Sequence, residues 1–123
     1  MRVLYCVQMA TVFVIAGDWT LRTAVRAELR EMGVEALGFE TLADAGRARV
    51  EGTAADVMVV DATSIEMRGV ELEALARGAE LVVIASGIER AALPVKAAAV
   101  LRKPVSVGEI VAAVRHIMEG RPA

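Results

Sequence analysis

The chain has one cysteine, Cys6, so no internal disulfide can form, which fits a reducing cytosol and makes Cys6 a small apolar filler. No apolar run approaches the ~20 residues that a membrane-spanning helix needs, although hydrophobic residues make up 56% of the sequence. The apolar stretches are short and broken by charges. Basic residues are scattered, and the net charge is −2, so the electrostatic footprint of a nucleic-acid-binding surface is missing. The single histidine, His116, has no partners for a metal site. The glycines form neither of the common nucleotide-binding loops. There is no Ser-His-Asp order and no Cys-His pair in a catalytic setting, so nothing here marks an enzyme of those classes. Repeats, linkers and low-complexity segments are also lacking. A chain of 123 residues can bury roughly two-thirds of its unfolded surface, so one domain can fold without a disulfide or metal staple.

What is present is organised around Asp56-Val-Met-Val-Val-Asp61-Ala-Thr-Ser-Ile-Glu-Met-Arg-Gly69. The run Val57 to Val60 is continuously apolar, as expected of a strand buried on both faces in a parallel sheet. It ends in a lone carboxylate, Asp61. A carboxylate there lies where open α/β sheets bind ligands, although Asp also caps turns at strand ends. Position alone does not separate the two.

The rest of the chain alternates in the same style. Residues 1–10 are an N-terminal extension, either an extra edge strand or sequence upstream of a natural start at Met9. Thr11–Ile15 predicts a first strand. Asp18 can cap a helix from Trp19 to Met32, whose Leu21, Val25, Leu29 and Met32 recur at helical spacing. Gly33 is a stop signal. Val34–Phe39 predicts a second strand, and Leu42–Val50 a helix capped by Thr41. After the Asp61 strand come a short helix from Val70 to Arg77, a fourth strand from Glu80 to Ile84, a weakly helical stretch from Ile88 to Lys96 limited by Pro94, and a fifth strand from Ala98 to Leu101. Ser106 and Glu109 form a capping box for a last helix with Val107, Ile110, Val111, Val114 and Ile117 on its apolar face, ending at Gly120. Residues 121–123 are a tail.

Alternating strands and helices with short turns predict a doubly wound five-stranded parallel sheet. Right-handed crossovers place all strand carboxyl ends on one edge. Ala16-Gly17-Asp18, Asp61, Ala85-Ser86 and Lys103 therefore converge on a single rim, and this favours a functional Asp61.

Over residues 11–120 the chain resembles the CheY-like receiver domain of two-component response regulators. The resemblance rests on the (βα)5 order, on Asp61 after a Val-rich strand with Gly69 at the spacing of the family's Asp…Met-Pro…Gly loop, and on Lys103-Pro104 after the fifth strand. Arg22 also falls at a usual family position. The resemblance implies a flavodoxin-like fold, Asp61 as phosphoryl acceptor, Lys103 as its cationic partner through a cis Lys-Pro bond, and a Mg²⁺ ion between carboxylate and phosphoryl group. It also implies signalling-protein partners, a histidine kinase or a downstream effector, met through the last helix and the fourth and fifth strands. Neither nucleic acid nor membrane is expected as a direct partner. A second copy of the chain is a further candidate.

Several family features are replaced. The acidic pair after the first strand is Ala16 and Gly17, and only Asp18, one place later, is acidic. The switch hydroxyl of the fourth strand is Ala85, with Ser86 one residue late. The fifth-strand aromatic is Val100, and the loop proline is Ile65. Mg²⁺ would be left with Asp61, a backbone carbonyl near Thr63, and Asp18, a poor set for a hard cation. The pattern resembles the atypical, pseudo-receiver branch, in which the fold serves as a docking surface. In that reading Asp61 and Lys103 form a largely structural ion pair. A Mg²⁺-dependent receiver phosphorylated on Asp61, with Asp18 as metal ligand, stays open. So does a flavodoxin-like domain binding an unrelated ligand at the rim.

Overall fold

The computed structural model describes residues 10–66, 68–86 and 96–120. Its elements are β1 (Thr11–Ile15), α1 (Trp19–Glu31), β2 (Glu35–Phe39), α2 (Leu42–Val50), β3 (Val57–Asp61), α3 (Gly69–Leu75), β4 (Glu80–Ala85), β5 (Ala99–Arg102) and α4 (Val107–Glu119). The extension at residues 1–9, with Cys6, and nearly all of the helix expected over Ile88–Lys96 lie outside the described residues.

The strands form one parallel sheet in the order β2-β1-β3-β4-β5. Every residue of β3 is buried, as are Val12 to Ile15 of β1 and Leu81 to Ala85 of β4. Alternation along β1 divides the core into two layers, because successive strand side chains point to opposite faces. Val12 and Val14 pack with Val25 and Leu29 of α1 and Ile110, Val111 and Val114 of α4. Phe13 and Ile15 pack with Leu42 and Ala45 of α2 and Leu72 and Leu75 of α3. Burying one such Val, Leu or Ile side chain contributes about 1.5–3 kcal/mol, so each layer is a substantial part of the driving force.

Helix ends follow the local signals. Asp18 caps α1 by accepting from the Thr20 and Leu21 amides. Ser106 and Glu109 close the reciprocal capping box of α4. At the end of α1, Gly33 adopts φ +85°, its N–H donates to the Arg30 carbonyl, and the Val34 N–H donates to that of Leu29. This closing motif needs a left-handed residue, which glycine supplies without steric cost.

Several boundaries differ slightly from expectation, among them β4, which runs one residue further, to Ala85. β2 begins at Glu35 because the Val34 amide is spent on that helix closure. α1 ends at Glu31 for the same reason, with Met32 as its cap. α3 spans Gly69–Leu75, where a span from Val70 to Arg77 is expected. β5 spans Ala99–Arg102, one residue later at each end than the apolar run, and the Ala98 amide before it pairs with the Leu81 carbonyl on β4.

Candidate functional site

Parallel topology carries the carboxyl ends of β1, β3, β4 and β5 to one rim, and Asp61 sits there as the last residue of β3. It is fully buried, and it is the one buried charged residue among the described residues. A buried carboxylate is costly unless its oxygens are satisfied, and here both are. Oδ1 accepts from the Thr63 amide at 3.0 Å and the Thr63 hydroxyl at 2.7 Å. Oδ2 accepts from the Ser64 hydroxyl at 2.9 Å and from Lys103 Nζ at 3.4 Å. These four donors match the roughly four acceptor positions of a carboxylate. Burial pushes the Asp61 carboxyl up, but the Thr63 and Ser64 hydroxyls, the Thr63 amide and the Lys103 ammonium together outweigh it, and the net direction is below the ordinary value of 3.8. The group is therefore an anion at neutral pH.

Lys103 reaches the site from the end of β5. Its amide donates to the Ala85 carbonyl at 2.9 Å, and the Lys103-Pro104 bond is cis. The expected ion pair with Asp61 is present. However, Lys103 is the smallest of the influences on Asp61, after the hydroxyls and the amide. Two hydroxyls and one amide share with Lys103 the task of holding the buried carboxylate in its charged form.

The residue missed in the sequence is Ser64. Its hydroxyl accepts from the Gly17 amide at 3.0 Å while donating to Asp61, so it ties the β1 rim to the β3 rim. A Cβ added at Gly17 would lie 2.2 Å from the Ser64 carbonyl oxygen. Glycine is thus required there by close approach. The available signal was the hydroxyl pair Thr63-Ser64 directly after Asp61, since such side chains readily bond a neighbouring carboxylate or amide.

Asp18, the remaining acidic candidate near β1, is exposed and spends Oδ1 on the α1 cap. Thr63 is brought to Asp61, but through its amide and hydroxyl donors. A hard cation needs several convergent oxygen ligands, and among the described residues no group of three or more His, Cys, Asp or Glu converges. The positions nearest the carboxylate on the β1 side are Ala16, buried and apolar, and Gly17, closed off by Ser64. The donor set does not fit a Mg²⁺ ion.

Other rim residues are placed as follows. Arg22 Nη1 donates to the Ala16 carbonyl at 2.6 Å and so braces the end of β1. Ala85 ends β4 fully buried, and Ser86 follows, half-buried. Trp19 is exposed at the first turn of α1, and His116 is exposed on α4. A cleft of about 610 Å³ adjoins the site, with Gly17, Thr41, Ser64 and Arg68 among its walls. Neither Asp61 nor Lys103 lines it. No helix among the described residues is long and apolar enough to cross a membrane.

No protein-family model and no curated protein sequence matches the chain. Solved structures do. A response regulator receiver protein from Sinorhizobium medicae WSM419 is 20% identical, with a TM-score of 0.77 over 94% of this chain and 99% of that one. A response regulator receiver domain protein from Clostridium thermocellum is 22% identical, with a TM-score of 0.72 over 90% and 95%. A CheY-like receiver domain protein from Methanospirillum hungatei JF-1 is 16% identical, with a TM-score of 0.75 over 90% and 94%. The fold is that of response regulator receiver domains.

Proposed function

We propose that the chain is a receiver-like signalling module that works by binding other proteins, with phosphoryl transfer absent or weak. The observation that carries this reading is the closure of Asp61. All four of its acceptor positions are taken by donors of the chain itself, and the residues that would flank it as acidic ligands are Ala16 and Gly17. To attack phosphorus, a carboxylate oxygen must shed a donor, and the developing charge must be met by a cation. Ser64 is held in place from the other side as well, because its hydroxyl also accepts from the Gly17 amide. The module therefore acts as a docking surface, and its partners are a histidine kinase or a downstream effector, met through α4 with β4 and β5.

A second reading, a Mg²⁺-dependent phospho-acceptor, is favoured by one observation: an acceptor-lysine pair stands at the rim, with Lys103 Nζ 3.4 Å from Asp61 Oδ2. Intact-mass spectrometry after incubation with acetyl phosphate, with and without Mg²⁺, separates the two. The docking module gives no adduct, or a trace that Mg²⁺ does not raise. A Mg²⁺-dependent phosphoryl adduct that disappears in Asp61→Asn establishes the second reading and overturns the first.

A further inference from the structure

On the face of the sheet that carries α2 and α3, an open trough of about 770 Å³ runs between the two helices. Ala43 and Gly46 of α2 and Ala74 of α3 line it, and a Cβ added at Gly46 would meet nothing within 4 Å. Glycine inside a helix lowers its stability, and here it leaves the middle of the trough open. Val50 stands at one end, 89% exposed. The spacing of the helices is held by Arg49, whose guanidinium crosses from α2 to carbonyls at the end of α3. Nη1 donates to those of Ala74 and Leu75 at 2.7 and 2.6 Å, and Nη2 to that of Arg77 at 2.8 Å.

Charge along the trough is unequally spent. Arg49 is committed to those carbonyls, and Arg47 pairs with Asp44 one turn back. Glu71 and Glu51 also line the trough, and among the described residues neither has a cation within ion-pair distance. Glu71 lies in the first turn of α3, at the rim end. Glu51 caps the far end of α2. A fitting occupant is therefore an apolar run with a cation at one end.

We propose that this occupant is the chain's own N-terminal segment, with Val3-Leu-Tyr-Cys-Val7 on the apolar floor and Arg2 against Glu71. The run is continuously apolar, and Arg2 is the one charged side chain among residues 1–9. The segment joins β1 beside the trough's lower end. There the Thr11 carbonyl accepts from the Asp56 amide at 2.8 Å, and the loop ending at Asp56 begins at α2, where the Thr53 amide donates to the Ala48 carbonyl. The reach suffices. Nine residues span at most about 30 Å, whereas α2 is only about 13.5 Å long and five extended residues cover about 16 Å. A run that enters at the Val50 end with Val7 first therefore brings Arg2 to the rim end, where Glu71 stands. The other seat for such a run, the outer edge of β2, is closed, because Ala36 is buried and its carbonyl is taken by Arg26 and Arg30. Seated in the trough, the segment shields the apolar floor and Val50 from other proteins. The contact does not involve Asp61 and holds whether or not that residue is phosphorylated.

The test is nuclear Overhauser spectroscopy on the full chain. Tyr5 is the single tyrosine, so its ring protons are identified directly. The expected result is cross-peaks between residues 3–7 and the methyls of Ala43, Val50 and Ala74, unchanged on about tenfold dilution. Backbone order parameters of residues 3–7 should lie near the rigid value of about 0.85. Gly46→Leu fills the trough at a position with open space around it. It should abolish the cross-peaks and lower those order parameters below about 0.6. Cross-peaks to β2 or to any other face, flexible order parameters in the unaltered chain, contacts that vanish on dilution because a second copy supplies them, or contacts that survive Gly46→Leu would each overturn the proposal. Should Gly46→Leu not fold, the cross-peaks of the unaltered chain decide alone.

Discussion

Lys103 Nζ lies 2.6 Å from the Thr63 hydroxyl and 3.4 Å from the Asp61 carboxylate. The lysine is thus anchored by a neutral oxygen, and that same hydroxyl donates its own proton to Asp61. Charge reaches Asp61 partly through an intermediary, and the hydroxyls, the amide and the lysine together hold its carboxyl below the ordinary value.

Replacing the carboxylate tests this network directly. Asp61→Asn keeps the size but places an amide NH₂ among groups that all donate. The expected loss is about 1–3 kcal/mol, the usual penalty for leaving buried polar groups unpaired. Urea unfolding of both proteins measures it, and an unchanged or raised midpoint would refute a structural role for Asp61.

Ser64→Ala removes one hydroxyl with two bonds. The Gly17 amide loses its acceptor and Asp61 Oδ2 loses its closest donor. A loss of about 1–3 kcal/mol is expected, together with a rise in the Asp61 pKa that carboxyl-carbon NMR titration would register. If the Asp61 titration is the same in the variant, Ser64 has no part in holding the carboxylate.

Gly17→Asp restores a carboxylate on the β1 rim, yet it should not create a metal site. Its Cβ would meet the Ser64 carbonyl oxygen at 2.2 Å, and that oxygen is backbone, so the loop must move. The variant should be less stable by about 1–3 kcal/mol, the range for forced overpacking. Thermal melts with and without excess Mg²⁺ should coincide. A Mg²⁺-dependent rise in Tm would mean that the loop opens to form an ion site.

Acid should weaken the fold through Asp61. Its folded pKa lies below the ordinary 3.8, so the unfolded chain takes up the proton first on acidification. The stabilisation is complete well above 3.8 and is lost as pH falls through that value towards the lower folded one. Urea midpoints measured from pH 7 to pH 3 should fall most steeply at the acid end, and the fall should be shallower in Asp61→Asn. Parallel curves would assign the acid sensitivity to other carboxylates.

Much of this molecule follows from local signals. Four-residue runs such as Val57–Val60 can be buried strands because nothing in them needs water. Asp18, Thr41 and Ser106 each offer an oxygen to a helix start, and all three are used. The stop after α1 follows from Gly33, the one residue there that takes a positive φ without cost. Once strand and helix alternate, crossover handedness puts Asp61 and Lys103 on one rim, so their pairing was legible from 42 positions apart.

Sequence by itself therefore determined the elements, their order and the rim on which the polar residues meet, because caps, stops and apolar periodicity act within a few residues. The tertiary structure alone decided what Asp61 touches. Ser64 hydroxyl orientation depends on the approach of Gly17, 47 positions earlier, and the lie of Arg22 and Arg26 over β2 depends on Gly38 having no side chain there. Distances of a few tenths of an ångström separate a hydrogen bond from a clash, and they are set only when the packed layers fix how close two loops can come.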